Sequence, residues 1–232
     1  MKNCIFFLIF CCTASLSAKA QNLPKLFLVG DSISIYYTPY LERDVASEYS
    51  FGRKTSAAPE SIDEQLKDPN VQGGNSQMVL DYLKMRYAQS GFAPDVVLIN
   101  CGLHDIKRTP KTNAIAIDAA HYRSNLQQIL GLVRSHHGKL VWVSTTPVDD
   151  KRHNSLSTEF LRYNQDVQQY NSIAKDVFSR AKVPMIDLYS FTMQLGPNHY
   201  IDHVHWDEGT RTQQAAYIAG FLAEMGGSSH AR

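Results

Sequence analysis

The feature that most constrains this chain is a repeated alternation of short apolar runs with longer amphipathic stretches. Lys25–Val29 (KLFLV), Asp95–Asn100 (DVVLIN), Lys139–Ser144 (KLVWVS) and the shorter Val183–Ile186 (VPMI) are largely apolar. Continuous hydrophobicity of this kind suits strands buried on both faces. Between the runs, apolar residues recur at helical spacing over Ser76–Ala88, Ala114–His136, Phe160–Ala181 and Thr210–Met225. Strand–helix alternation predicts an α/β fold, a three-layer α/β/α sandwich around a central parallel sheet. In such sheets ligands bind beyond the carboxyl ends of the strands, so chemistry is expected in the polar segments that directly follow the runs. No internal repeat, low-complexity tract or linker-like break divides residues 21–232, which read as one domain.

The first twenty residues follow a different logic. Lys2 precedes an apolar run, Cys4 to Cys12, and small residues end at Ala18-Lys19-Ala20. A positive n-region, an h-region and an A-x-A site predict a cleaved signal peptide over residues 1–20, with Gln21 as the mature start. The run is too short to span a bilayer as a stable helix. A lipid anchor at Cys11 or Cys12 is the competing reading, disfavoured by the large Phe10 before Cys11. Cleavage would change the formal charge from +1 to −1, with 21 basic against 22 acidic side chains, so nothing points to a nucleic-acid partner. It would also leave Cys101 as the one cysteine of four, without an intramolecular disulfide. Secretion or residence in a periplasm is therefore expected, with a core that supplies the stability.

Four segments hold residues able to do chemistry. Gly30-Asp31-Ser32-Ile33 follows the first run, where a glycine permits a sharp exit from the sheet and Ser32 falls at a strand-to-helix junction. Taken alone, the tetrapeptide reads equally as a helix cap. Near the other end, Asp202-His203-Val204-His205 places an Asp three residues before a His, a spacing that lets both side chains reach one point. His205 is then a candidate base for Ser32 and Asp202 the group that holds its tautomer. His203 competes for the base role. A metal site from His199, His203, His205 and Asp202 is a further rival, without the helical or cysteine spacing that usually marks one. Gly73-Gly74-Asn75-Ser76 and Asn100-Cys101-Gly102-Leu103-His104-Asp105 are placed to donate hydrogen bonds over the sheet. Cys101 has no adjacent base and reads as a small core residue.

Gly-Asp-Ser after the first strand, a Gly-rich turn, a G-x-x-D after the middle strand and a late D-x-x-H, in that order, resemble the SGNH (GDSL-like) hydrolase superfamily from Lys25 to about Gly220. The resemblance implies a flavodoxin-like fold and a serine esterase that needs no metal or organic cofactor. It implies Ser32 as nucleophile, His205 and Asp202 as its partners, and the Ser32 and Gly74 N–H groups as oxyanion donors. The usual third block is G-x-N-D; here it reads Gly102-Leu103-His104-Asp105. His104 or Asn75 would have to replace the amide donor.

The substrate is less legible. The segments Ile35–Tyr40, Lys107–Thr109 and Asp149–Asn154 are polar and aromatic, which favours a carbohydrate O-acetylesterase acting on a small-molecule or polysaccharide ester. The basic pair Lys107-Arg108 suits an acidic sugar. A lipid acyl hydrolase and a non-catalytic glycan-binding relative are the alternatives. Val148–Thr158 is polar and long enough to form a lid.

Overall fold

Each apolar run becomes a strand of one sheet. The computed structural model describes residues 23–55, 61–156 and 159–230, so the expected signal peptide lies outside the described residues. The strands are β1 (Lys25–Val29), β2 (Ser50–Arg53), β3 (Val96–Ile99), β4 (Lys139–Val143) and β5 (Met185–Ile186). All pairs are parallel, in the order β2-β1-β3-β4-β5. Leu28, Val97, Leu98 and Val141 are fully buried, each contributing about 1.5–3 kcal/mol relative to exposure. β2 escaped the sequence reading because Ser50-Phe51-Gly52-Arg53 is an edge strand with no apolar run.

The helices are α1 (Ser32–Val45), α2 (Ile62–Lys67), α3 (Ser76–Tyr87), α4 (Ala119–Ser135), α5 (Asp150–Leu156), α6 (Asn164–Arg180), α7 (Leu188–Leu195) and α8 (Glu208–His230). α1 packs on α8 and α8 on α7, while α3 packs on α4 and α4 on α6. This is the expected sandwich, a central parallel sheet between helices. Among the described residues no helix is long and apolar enough to cross a membrane.

Three boundaries differ from expectation, each for a physical reason. α4 starts at Ala119 and not near Ala114, because Asp118 accepts the N–H groups of Ala120 and His121 as its cap. Ile115 instead joins a short antiparallel bridge with Arg108. α6 starts at Asn164 and not at Phe160, because Leu161 bridges Arg108 from the other side. The polar and aromatic segment 35–40 is not a loop beside the site but part of α1, with Pro39 inside the helix. There the Thr38 hydroxyl bonds back to the Ser34 carbonyl at 2.6 Å.

The expected lid segment also holds regular structure. Residues 150–156 are α5, anchored by the fully buried His153, whose Nε2 lies 3.2 Å from the Phe160 carbonyl. Thr158, the end of that segment, lies outside the described residues.

Candidate active site

β1 and β3 are neighbours at the point where strand order reverses, and their carboxyl ends open the crevice where such sheets hold ligands. β1 delivers Gly30 and Asp31 straight into α1. Asp31 is fully buried and caps the helix, its Oδ1 accepting the Ile33 N–H at 3.0 Å. Its other oxygen has no hydrogen-bond partner among the described residues, and burial pushes the carboxyl up to about 6 against the Ile33 hydrogen bond and the charges of Arg162 and His205. The capping role therefore falls to Asp31, which leaves Ser32 free at the first helical position.

Ser32 meets the late loop. His205 Nε2 lies 2.8 Å from Ser32 Oγ, and His205 Nδ1 lies 2.6 Å from Asp202 Oδ2. The D-x-x-H loop is held by local contacts. Tyr200 and Trp206 form an antiparallel bridge with rings stacked at 3.8 Å, and the Ile201 N–H donates to the His205 carbonyl at 2.9 Å. Asp202 Oδ1 accepts the Val204 and His205 N–H groups, each at 2.8 Å, an Asx turn that aims its other oxygen at the ring. Partial burial opposes the Asp202 charge, but the His205 ring and the two N–H groups hold it well below the ordinary carboxylate range. The result is a continuous Ser–His–Asp hydrogen-bond chain from residues 173 positions apart.

The glycine turn is held against the same centre. The Gly73 N–H donates to the Gly30 carbonyl at 2.8 Å, and a Cβ on Gly73 would stand 2.7 Å from that oxygen. Gly74 adopts φ +74°, where a side chain would be strained and would also meet Met78 Sδ at 2.5 Å. From the far side Asp105 accepts the Ser76 N–H through both oxygens, at 2.9 and 3.0 Å. Burial raises Asp105 to about 7 despite the Ser76 hydrogen bonds. The last residue of G-x-x-D thus clamps the turn. Among the described residues neither the Ser32 nor the Gly74 N–H donates to another backbone acceptor outside regular helix and strand bonds.

Asn75 caps α3, its Oδ1 accepting the Met78 N–H at 3.0 Å. His104 is partly buried and has no ring hydrogen bond among the described residues. Burial, then the charges of Lys107, Arg162 and His205, lower it to about 3, so the ring is neutral at ordinary pH and keeps one N–H donor. Linkage makes this testable. Between pH 6.5 and about 3 the unfolded chain binds a proton at His104 that the folded chain does not, so stability falls as pH falls through that window. His104→Gln is expected to lose less stability than the wild type from pH 7 to pH 4, read as Tm against pH. Parallel Tm curves would contradict the neutral ring.

The remaining candidates go elsewhere. His203 packs edge-on against His153, with ring centroids 4.3 Å apart, and His199 Nδ1 pairs with Asp207 at 2.8 Å. His199, His203 and His205 therefore have three different partners. Cys101 is fully buried, and burial raises its thiol well above its ordinary value. Of the three tyrosines in 36–40, Tyr37 is core and Tyr40 bonds Glu208 at 2.9 Å. Tyr36 alone of the three meets the centre, its ring 5.0 Å from His205 and covered by the Arg211 guanidinium at 3.7 Å. Arg211 and the buried Arg162 were missed in the sequence, because neither is part of a motif.

With this geometry in view, residues 28–209 match the GDSL-like lipase/acylhydrolase family. The chain belongs to that family. Membership in the GDSL-like lipase/acylhydrolase family makes acyl-ester hydrolysis its reaction class. No curated protein sequence matches the chain. Solved structures share its fold. A lipase/acylhydrolase from Enterococcus faecalis superposes with TM-score 0.63 at 19% identity, covering 89% of this chain and 97% of its own. An acetyl xylan esterase gives 0.60 at 16%, covering 84% and 98%. A carbohydrate acetylesterase from Sinorhizobium meliloti gives 0.57 at 15%, covering 87% and 99%.

Proposed function

We propose that this protein is an exported carbohydrate O-acetylesterase that works through an acyl-enzyme on Ser32. The observation that carries the reading is the Ser32–His205–Asp202 chain, with links of 2.8 and 2.6 Å. Ser32 Oγ attacks the ester carbonyl carbon as its proton passes to His205 Nε2. Asp202 holds the proton on His205 Nδ1 and stabilises the imidazolium that forms. The Ser32 and Gly74 N–H groups, with the neutral His104 ring as third donor, stabilise the oxyanion. Asn75, engaged as the α3 cap, supports the turn. The tetrahedral species collapses, His205 protonates the departing sugar alkoxide, and water activated by His205 releases acetate from Ser32.

The acetyl-sugar reading draws support from two directions. Tyr36 is partly exposed beside His205 and offers aromatic surface to a sugar, with Arg211 covering one side of the ring, and two of the proteins that share the fold are an acetyl xylan esterase and a carbohydrate acetylesterase. The apolar run before Ala20 underlies the proposed export. The test is acetate release from a panel of acetylated polysaccharides, set beside p-nitrophenyl esters of increasing chain length. Acetate release with falling activity beyond short acyl chains is expected. A preference for long chains with no acetate release would replace this reading with a lipid acyl hydrolase.

A further inference from the structure

We propose that Lys107 and Arg162 form a carboxylate-recognition subsite beside the Ser32 centre, selecting ester substrates that carry an anionic group. The subsite presupposes the esterase activity proposed for the same centre.

Its origin is the short pairing between two loops. Arg108 and Leu161 bridge antiparallel, exchanging both backbone hydrogen bonds at 2.9 and 2.8 Å. Side chains alternate across such a pair. Arg108 and Leu161 therefore share one face, and Lys107, Phe160 and Arg162 share the other. Arg108 is consumed on its own face by a bidentate ion pair with Asp166, at 2.7 and 2.8 Å. The adjacent basic pair of the sequence is thus split, and only Lys107 remains for a ligand. Its structural companion is Arg162, 55 positions further along.

Both cations lie against the same ring. Lys107 Nζ is 4.3 Å from the Phe160 centroid, and the Arg162 guanidinium carbon is 4.7 Å from it. Arg162 is only 5% exposed. Its Nε donates to the Leu103 carbonyl at 2.8 Å, next to His104, while its two terminal nitrogens find no hydrogen-bond partner among the described residues. Lys107 likewise forms no ion pair among them. Glu159 acts on Lys107, and Asp31 and Asp202 on Arg162, through longer-range charge alone. Burial first, and then the charge of Arg162, lower Lys107 to about 8, while Glu159 opposes them. A planar guanidinium with free N–H groups and an adjacent ammonium match a carboxylate in geometry and charge. That carboxylate belongs either to the alcohol side, as in an acetylated uronate, or to the acyl side, as in a hemisuccinate.

The test separates binding from turnover. In the Ser32→Ala background, calorimetry measures the Kd of O-acetylated trigalacturonate, of O-acetylated xylotriose and of a hemisuccinate ester of xylotriose. At least one acidic ligand is expected to bind about tenfold or more tightly than acetylated xylotriose. Lys107→Gln is expected to remove about tenfold of that preference, and Lys107→Arg to restore it. Which acidic ligand responds identifies the side that carries the charge. Equal Kd values for acidic and neutral ligands, no acidic binding, or an acidic Kd indifferent to Lys107→Gln would overturn the subsite. Hydrolysis of p-nitrophenyl acetate by the Ser32 protein reports on the esterase separately. Turnover without acidic preference refutes the subsite alone, and acidic preference without turnover refutes the esterase alone.

Discussion

Ser32→Ala is expected to lower kcat for p-nitrophenyl acetate by about 10⁴–10⁶-fold while the protein stays folded. The size of the loss follows from the role. Ser32 Oγ is the atom that would bond to the acyl carbon, and it sits 2.8 Å from the nitrogen that would take its proton. Removing it leaves only the oxyanion donors and substrate binding, which still exceed the rate in water. Folding should be spared, because Asp31 supplies the cap of α1 and Ser32 supplies none. His205→Ala should cost a comparable factor. The double variant should lose little more than either single variant, since nucleophile and base act as one unit. Steady-state rates beside a thermal melt decide the matter. A folded Ser32→Ala protein that keeps a tenth of wild-type activity would refute the assignment.

Asp202→Asn is expected to lower kcat by about 10³–10⁴-fold with a smaller change in KM. Asn can still accept the Val204 and His205 N–H groups that Asp202 Oδ1 accepts now, so the loop should keep its shape. The change falls on the 2.6 Å contact with His205 Nδ1. An amide N–H there favours the tautomer with its proton on Nε2, which cannot accept the Ser32 proton. The imidazolium also loses its counter-charge. Activity within tenfold of wild type, at equal Tm, would show that His205 is oriented by its packing against Tyr36 and not by Asp202.

Part of the site was legible because it rests on local properties. Gly30-Asp31-Ser32 after an apolar run and Asp202-x-x-His205 in a short loop are fixed by spacing, and each folds largely through its own hydrogen bonds. Their joining across 173 positions was inferred from the order of the blocks and is realised as a 2.8 Å contact. Adjacency was a poor guide elsewhere. The tyrosines of 36–40 form one aromatic segment of the chain, but a helix turns successive side chains about 100° apart. It sends Tyr37 into the core and Tyr36 to His205.

The amino-acid sequence by itself determined the strand–helix alternation, the parallel sandwich and the candidate Ser32, Asp202 and His205. These follow from periodicity, turn chemistry and short spacings, which are written along the chain. Only the tertiary structure decided which charges remain free. Arg108 is claimed by Asp166, 58 residues away, while Arg162 joins Lys107 because one backbone bridge puts alternate side chains on opposite faces. That choice depends on which distant segments pair and in which register. Pairing and register arise from packing the whole chain, and no local pattern in the sequence contains them.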